Sequence, residues 1–274
     1  MGKRRIAASL VVGAALLSSS ADSWGQSRDL RWSPVLDPGV VVLGAGGLVL
    51  TEAFKPALAP SSCRWCEAND VDSAAKRALQ WNNTPAADTA SNWTAFALAP
   101  AASLGFDMLA ANREGALRRV PVDALLIAEA GVVAADLTEI TKFLFARERP
   151  FVHDLPPNEK QHTSQPSDND LSFVSGHTSG VFALAAATGT VATMRGYRWA
   201  PAAWIGGGVI AAGTGYLRIA AAKHWLTDVL AGMALGVAVG IAVPLVFHKA
   251  QDDATPASPG AASMANSVIL AFPW

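Results

Sequence analysis

A chain of 274 residues, 51% hydrophobic and 16% charged, has the length for one buried core or for several membrane crossings, and one domain is the default expectation. With a mean hydropathy of +0.27 it is apolar for a soluble protein and mild for one buried mostly in lipid. A net charge of −1 excludes a global basic field, so nucleic acid is not an expected partner.

The first element in chain order is a targeting segment. Lys3, Arg4 and Arg5 form a basic start, residues 6–17 are apolar, and Ser18, Ser19, Ser20 and Ala21 follow. This is the layout of a secretory signal peptide, assigned to residues 1–25, with a run too short for a comfortable crossing. A retained N-terminal anchor is the alternative. Residues 40–50 are a short apolar stretch, expected to be a peripheral or re-entrant helix. Cys63 and Cys66 are spaced C-x-x-C. In an exported chain that spacing reads as a local disulfide, because further zinc ligands or a βαβ redox context are not in view.

The longer apolar stretches come next. Residues 93–111 carry one internal acid, Asp107. Residues 122–145 carry Asp123, Glu129, Asp136 and Glu139. At about 100° per residue, Glu129, Asp136 and Glu139 share one sector of a helix. Carboxylates at membrane depth face a bundle interior or a watery cavity, so this helix is expected to line the site. Lys142 stands three residues after Glu139, within pairing reach. Residues 179–194, 199–217 and 229–247 hold no charge at all and are read as crossings. The last carries Gly232, Gly236 and Gly240, a doubled G-x-x-x-G that permits close backbone contact. A small-residue helix in a soluble bundle is the alternative.

Loop charge orients the bundle. Arg113, Arg118, Arg119, Arg195, Arg198 and Lys249 sit in connections expected on the cytoplasmic side. Residues 149–175 and 218–226 then face outward. A cleaved signal leaves the mature N-terminus outside, and six full crossings would invert that orientation. Keeping residues 40–50 out of the crossings removes the conflict. Residues 148–173, rich in Pro, Asp, Asn and His, read as a loop. Residues 26–250 form the helical domain, and residues 251–274 a flexible tail with an apolar end that could dock as a short strand.

Three clusters carry the chemistry. They are Lys142-x6-Arg149-Pro150, Ser175-Gly176-His177, and Arg218-x5-His224-x3-Asp228. A phosphate dianion needs several fixed donors. Arg supplies bidentate hydrogen bonds and Lys a point charge. Ser175 adds a hydroxyl, and the amides around Gly176 open a helix, where anions are favoured. A four-residue spacing puts His224 and Asp228 on one helical face, so that the carboxylate holds one ring nitrogen and frees the other to attack. His177 is then available to protonate the leaving oxygen. Taken singly, each cluster also has an ordinary reading: a basic helix end, an N-cap, a structural ion pair.

Together the three clusters resemble the signature of the type 2 phosphatidic acid phosphatase superfamily, which includes bacterial class A acid phosphatases and vanadium-dependent haloperoxidases. The resemblance covers about residues 122–247. It implies that His224 is the nucleophile and forms a phosphohistidine, that Asp228 orients it, and that His177 is the general acid. Lys142, Arg149, Arg218, Ser175 and the Gly176 amide would bind the phosphoryl oxygens. No metal or other cofactor is implied for the phosphatases. Two positions depart from the pattern: Val174 stands where Pro is usual, and Leu217 where Ser is usual.

The expected fold is an all-α bundle of about five or six apolar helices, crossing a membrane, with the site at one end. The expected function is a phosphatase acting on a phosphomonoester or pyrophosphate of a lipid, held in the inner membrane with its site toward the periplasm. A soluble periplasmic acid phosphatase acting on a small phosphomonoester is the runner-up. A haloperoxidase and a non-catalytic anion-binding membrane protein are further alternatives.

Overall fold

The computed structural model describes residues 28–250. The signal peptide assigned to residues 1–25 and the tail at 251–274 lie outside the described residues. The regular elements are helices: α1 Leu36–Leu58, α2 Asp70–Leu79, α3 Thr84–Trp93, α4 Ala99–Arg113, α5 Val120–Phe145, α6 Pro150–His153, α7 Gly176–Met194, α8 Ala200–Ala220 and α9 Leu226–Phe247. A single π turn, Thr94–Leu98, joins α3 to α4 without a break. Among the described residues, β-type pairing is limited to two isolated bridges, Leu30 with Ala250 and Trp65 with Arg147.

Local sequence sets the helix ends. Asn69 caps α2 by accepting the Asp72 amide at 2.8 Å, and Asn83 caps α3 by accepting the Ala86 amide at 3.0 Å. Proline occupies the first turn of α3, α4, α5 and α8, where its missing N–H costs no helical hydrogen bond. Helix α5 stops at Ala146, which turns left-handed (φ 44°) and returns its amide to the Lys142 carbonyl at 2.9 Å. The chain therefore leaves the helix just before Arg147 and Arg149.

Helix α7 is the centre of the bundle. It packs on α5, α8, α9 and α4, and most of its side chains are small and buried. The tightest seam is with α9, which runs parallel to it. A Cβ at Gly232 would lie 2.8 Å from the Ser175 carbonyl oxygen, one at Gly236 2.2 Å from that of Ser179, and one at Gly240 2.5 Å from that of Ala183. The doubled G-x-x-x-G is thus a ladder, advancing four residues per step on both helices. Its first rung is Ser175 itself, so the seam sets the height at which α7 begins.

Residues 40–50 are not a short re-entrant piece. They lie within α1, whose 23 residues reach about 34 Å, against roughly 30 Å of hydrocarbon. Glu52, Lys55 and Pro56 interrupt its apolar run, and so concealed its length in the sequence. Helices α1, α9 and the α3–α4 run are each long and apolar enough to cross a membrane. The bundle's outer surface carries exposed Leu43, Phe96, Leu109, Leu144, Ile205 and Phe247. An apolar surface of that extent is a liability in water and is the surface of a membrane protein in lipid.

At the end of the bundle where α7 stops, the basic connections gather. Arg195 donates to Asp123 at 2.8 Å and to the Arg28 carbonyl at 2.9 Å, and Arg119 pairs with Asp29 at 2.7 Å. His248 lies between Glu129, 3.1 Å away, and the Arg31 carbonyl, also at 3.1 Å.

The glycine ladder makes a direct prediction. Gly236→Ala forces a Cβ onto the Ser179 carbonyl, and overpacking of this kind costs about 1–3 kcal/mol. Gly213, in α8, has nothing within 4 Å of its Cβ position, so Gly213→Ala is expected to be neutral or slightly stabilising. Thermal melts in detergent should show a clear loss for the first variant and none for the second.

Candidate active site

Four helix ends meet at the opposite end of the bundle. Helix α5 delivers Lys142, whose Nζ lies 2.6 Å from Glu139 and 3.2 Å from where a Cβ on Gly176 would stand. The ammonium therefore sits over the first turn of α7, and a side chain at Gly176 would crowd it. Ser175 is fully buried at the N-cap of α7, its hydroxyl 2.9 Å from that of Thr178 and its amide donating to the Asp228 carbonyl at 3.1 Å. The latter bond holds the turn in which Val174 replaces the expected proline.

Arg149 and Arg218 are both buried. The Arg149 backbone amide donates to the Asn169 carbonyl at 2.8 Å, and its Nη2 lies 3.8 Å from Asp168. Arg218 Nη1 donates to Asp88 at 2.6 Å and to the Ser91 hydroxyl at 2.8 Å. In both arginines Nε has no hydrogen-bond partner among the described residues. A buried guanidinium N–H left open is costly, and an oxyanion is the natural acceptor. Three cations, an opened helix N-terminus and a hydroxyl form a donor set for an anion, not for a metal ion. Leu217 cannot supply a hydroxyl beside Arg218; Ser91 from α3 does.

His224 is buried in the turn before α9 and donates Nδ1–H to the Ser172 carbonyl at 2.7 Å. With that proton placed, the lone pair resides on Nε2. Burial, and then the charges of Arg149, Arg218 and Lys142, push the imidazole well below its ordinary pKa of 6.5. The ring is therefore neutral in the unliganded protein.

Asp228 does not hold His224 in the way the spacing implied. Its Oδ2 is 3.7 Å from His224 Nδ1. That oxygen instead accepts the Ser172 hydroxyl at 2.6 Å and the Trp225 amide at 2.9 Å. Asp228 fixes Ser172, and the Ser172 carbonyl fixes the histidine. The reason is geometric: α9 begins at Leu226, so His224 lies outside the helix and the same-face rule does not reach it.

Sequence reasoning missed Arg147. It is 1% exposed, its guanidinium carbon lies 3.8 Å from the Trp65 ring centroid, and it pairs with both Asp72 and Asp228. The Asp72 partner lies 2.6 Å away. The Cys63–Cys66 disulfide closes the loop that presents Trp65, and the Arg64 amide ties this loop to the Ala146 carbonyl at 2.9 Å. The only hint in the sequence was a second arginine two positions before Arg149. The acids of α5 also part company: Glu139 reaches the site, Asp136 lies against Gly44 of α1, and Glu129 meets His248 at the far end.

His177 stands in the first turn of α7. Its Nε2–H donates to Asn92 Oδ1 at 2.7 Å, and its ring meets Phe96 edge-on at 4.9 Å. Asp88, Ser91 and Asn92 thus bring α3 into the site, although no motif announced them.

Residues 123–252 match the PAP2 superfamily. This segment, just under half of the chain, holds all three clusters. Among curated proteins, an undecaprenyl-diphosphatase of Sulfolobus acidocaldarius is 34% identical over 106 residues, covering 38% of this chain and 46% of the relative. The chain thus aligns with less than half the length of that relative. Among solved structures, the first transmembrane PAP2 type phosphatidylglycerolphosphate phosphatase from Bacillus subtilis is 19% identical, covers 76% of this chain and 94% of its own, and gives a TM-score of 0.46.

The depressed pKa of His224 has a consequence for stability. Above about pH 6.5 the ring is neutral in both folded and unfolded chains and contributes no pH dependence. As the pH falls below that value the unfolded chain takes up a proton that the folded one refuses, so stability is lost. Melting midpoints between pH 7 and pH 5 should fall more steeply for the wild type than for His224→Gln. Equal slopes would mean that His224 is not held neutral.

Proposed function

We propose that the protein is a membrane-embedded phosphatase that hydrolyses a phosphomonoester or pyrophosphate of a lipid through a phosphohistidine on His224. The observation that carries this reading is the pair of buried, unpartnered arginine Nε groups, on Arg149 and Arg218, which flank an imidazole with its lone pair on Nε2.

In the proposed reaction the phosphoryl oxygens take the open donors of Arg149 and Arg218, the Lys142 ammonium and the amides at the start of α7. His224 Nε2 attacks phosphorus, and the bond from phosphorus to the leaving oxygen breaks. His177 gives that oxygen a proton. Water, losing a proton to His177, then attacks the phosphohistidine and releases inorganic phosphate, which restores both histidines. The exposed apolar belt supports a lipid substrate over a small soluble one, because a tail can stay in the bilayer while the head group enters the site.

With six long helical runs crossing, Arg28, Arg113, Arg118, Arg119, Arg195, Arg198 and Lys249 all fall at the end opposite the site. The positive-inside rule then turns the site outward, toward the periplasm if the membrane is the inner one. The Cys63–Cys66 disulfide, at the site's end, fits an oxidising compartment. An outward site puts Arg28 on the cytoplasmic side. That favours a retained N-terminal segment over one removed by cleavage.

The test is phosphate release by the detergent-purified protein, with chelator present, from phosphatidic acid, a prenyl diphosphate and an aryl phosphate. Release from a lipid substrate is expected. His224→Ala should lose it by at least about a thousandfold while the variant still folds and melts cooperatively. A folded His224→Ala variant at full rate overturns the mechanism. Release from soluble esters alone favours an acid phosphatase, and no release from any substrate leaves an anion-binding protein.

A further inference from the structure

We infer that Asn92 positions His177 as proton donor, so that α3, which lies outside the segment matched to the superfamily, completes the active site. This rests on the reading of His177 given under Proposed function.

The geometry has three parts. The Asn92 amide oxygen accepts His177 Nε2–H at 2.7 Å. The Phe96 ring, one helical turn on, meets the imidazole edge-on with centroids 4.9 Å apart, so the ring is held at one nitrogen and on one side. Asp88 lies one helical turn before Asn92 and Ser91 directly precedes it, and those two hold Arg218. The last two turns of α3 therefore grip both the acid and a phosphate-binding arginine.

The grip is firm. Ser91 is fully buried and donates back to the Asp88 carbonyl at 2.7 Å. The Trp81 amide donates to the Ala220 carbonyl at 3.0 Å, and Thr214 meets Thr94 at 3.0 Å. These bonds strap the two ends of α3 to α8. The π turn at Thr94–Leu98 follows directly, and such turns recur at functional sites.

The chemistry follows from the acceptor. An amide oxygen can only accept, so it keeps a proton on Nε2 and leaves Nδ1 as the nitrogen that gains and gives the mobile proton. In the transfer, the Nδ1–H bond breaks as the leaving oxygen gains its hydrogen, while Nε2–H stays on Asn92. A neutral amide suits this role. It orients the imidazolium without the full negative charge that would hold the proton too tightly at a site meant to release it. An asparagine orients the histidine of papain-like proteases on the same logic.

The experiment compares kcat/KM for an alkyl phosphate and for p-nitrophenyl phosphate, in wild type, Asn92→Leu and Asn92→Asp. This ratio reports only steps through phosphoryl transfer to His224, so hydrolysis of the intermediate does not mask the result. Asn92→Leu should lose about 10²–10³-fold with the alkyl ester, the range of general acid catalysis, and less than about tenfold with the aryl ester, whose phenolate leaves unaided. Asn92→Asp should recover only part of the alkyl rate, because the carboxylate restores the orientation but holds the proton more tightly, and should move the alkaline limb of the pH profile upward. Equal loss on both esters overturns the inference, as does an unmoved limb in Asn92→Asp. Should Asn92→Leu fail to fold, the limb shift in Asn92→Asp decides alone. A wild type inactive on both esters fails the phosphatase reading itself, and the inference with it.

Discussion

The site depends on one buried cation. Arg147 sits on the Trp65 ring and bonds Asp72, Thr227 and Asp228. Those partners come from the disulfide loop, from α2 and from the start of α9, and Arg147 itself is the first residue but one past α5. Asp72 in turn accepts the amide of Thr227 at 2.8 Å. Replacing such a cluster wholesale with apolar groups is often harmless to stability, whereas removing one member leaves an uncompensated buried charge at about 3–5 kcal/mol. Its value here is positional. It fixes Asp228, Asp228 fixes Ser172, and the Ser172 carbonyl sets which nitrogen of His224 bears the proton.

A second constraint works along the bundle axis. The glycine ladder of α9 brings two backbones together at Ser175, Ser179 and Ala183. Small residues permit this approach, and packing instead of a hydrophobic driving force holds it within lipid. Because the top rung is the N-cap of α7, a change in the seam and a change in the donor set around Ser175 are the same change. The Thr138–Ser179 hydroxyl pair, 2.7 Å apart, locks α5 into the same register.

What the sequence disclosed follows from how the information is stored. The clusters around Lys142, Ser175 and His224 are each contiguous, and uncharged stretches mark α7, α8 and α9, so these were legible. The contributions of α3 were not. Asp88 and Asn92 act on residues 130 and 85 positions away, in a polar segment without hydrophobic period. The Ser172 carbonyl is a backbone atom and carries no side-chain signal at all. The acids of α5 misled for another reason. A helical wheel records angle but not height, and Glu129 and Glu139 are separated by about 15 Å of rise.

The parallel run of α7 and α9 has an electrostatic result of its own. Both helices begin at the site, so each aims the partial positive charge of its first turn, about half an elementary charge, at the same point. Helices α5 and α8 end there and would answer with partial negative charge. Each carries a cation in its last turn, Lys142 and Arg218 respectively. All four of these helices therefore present the pocket a positive end, whichever way they run. The peptide share of that field comes from groups that do not titrate, so it persists at any pH at which the bundle stays folded.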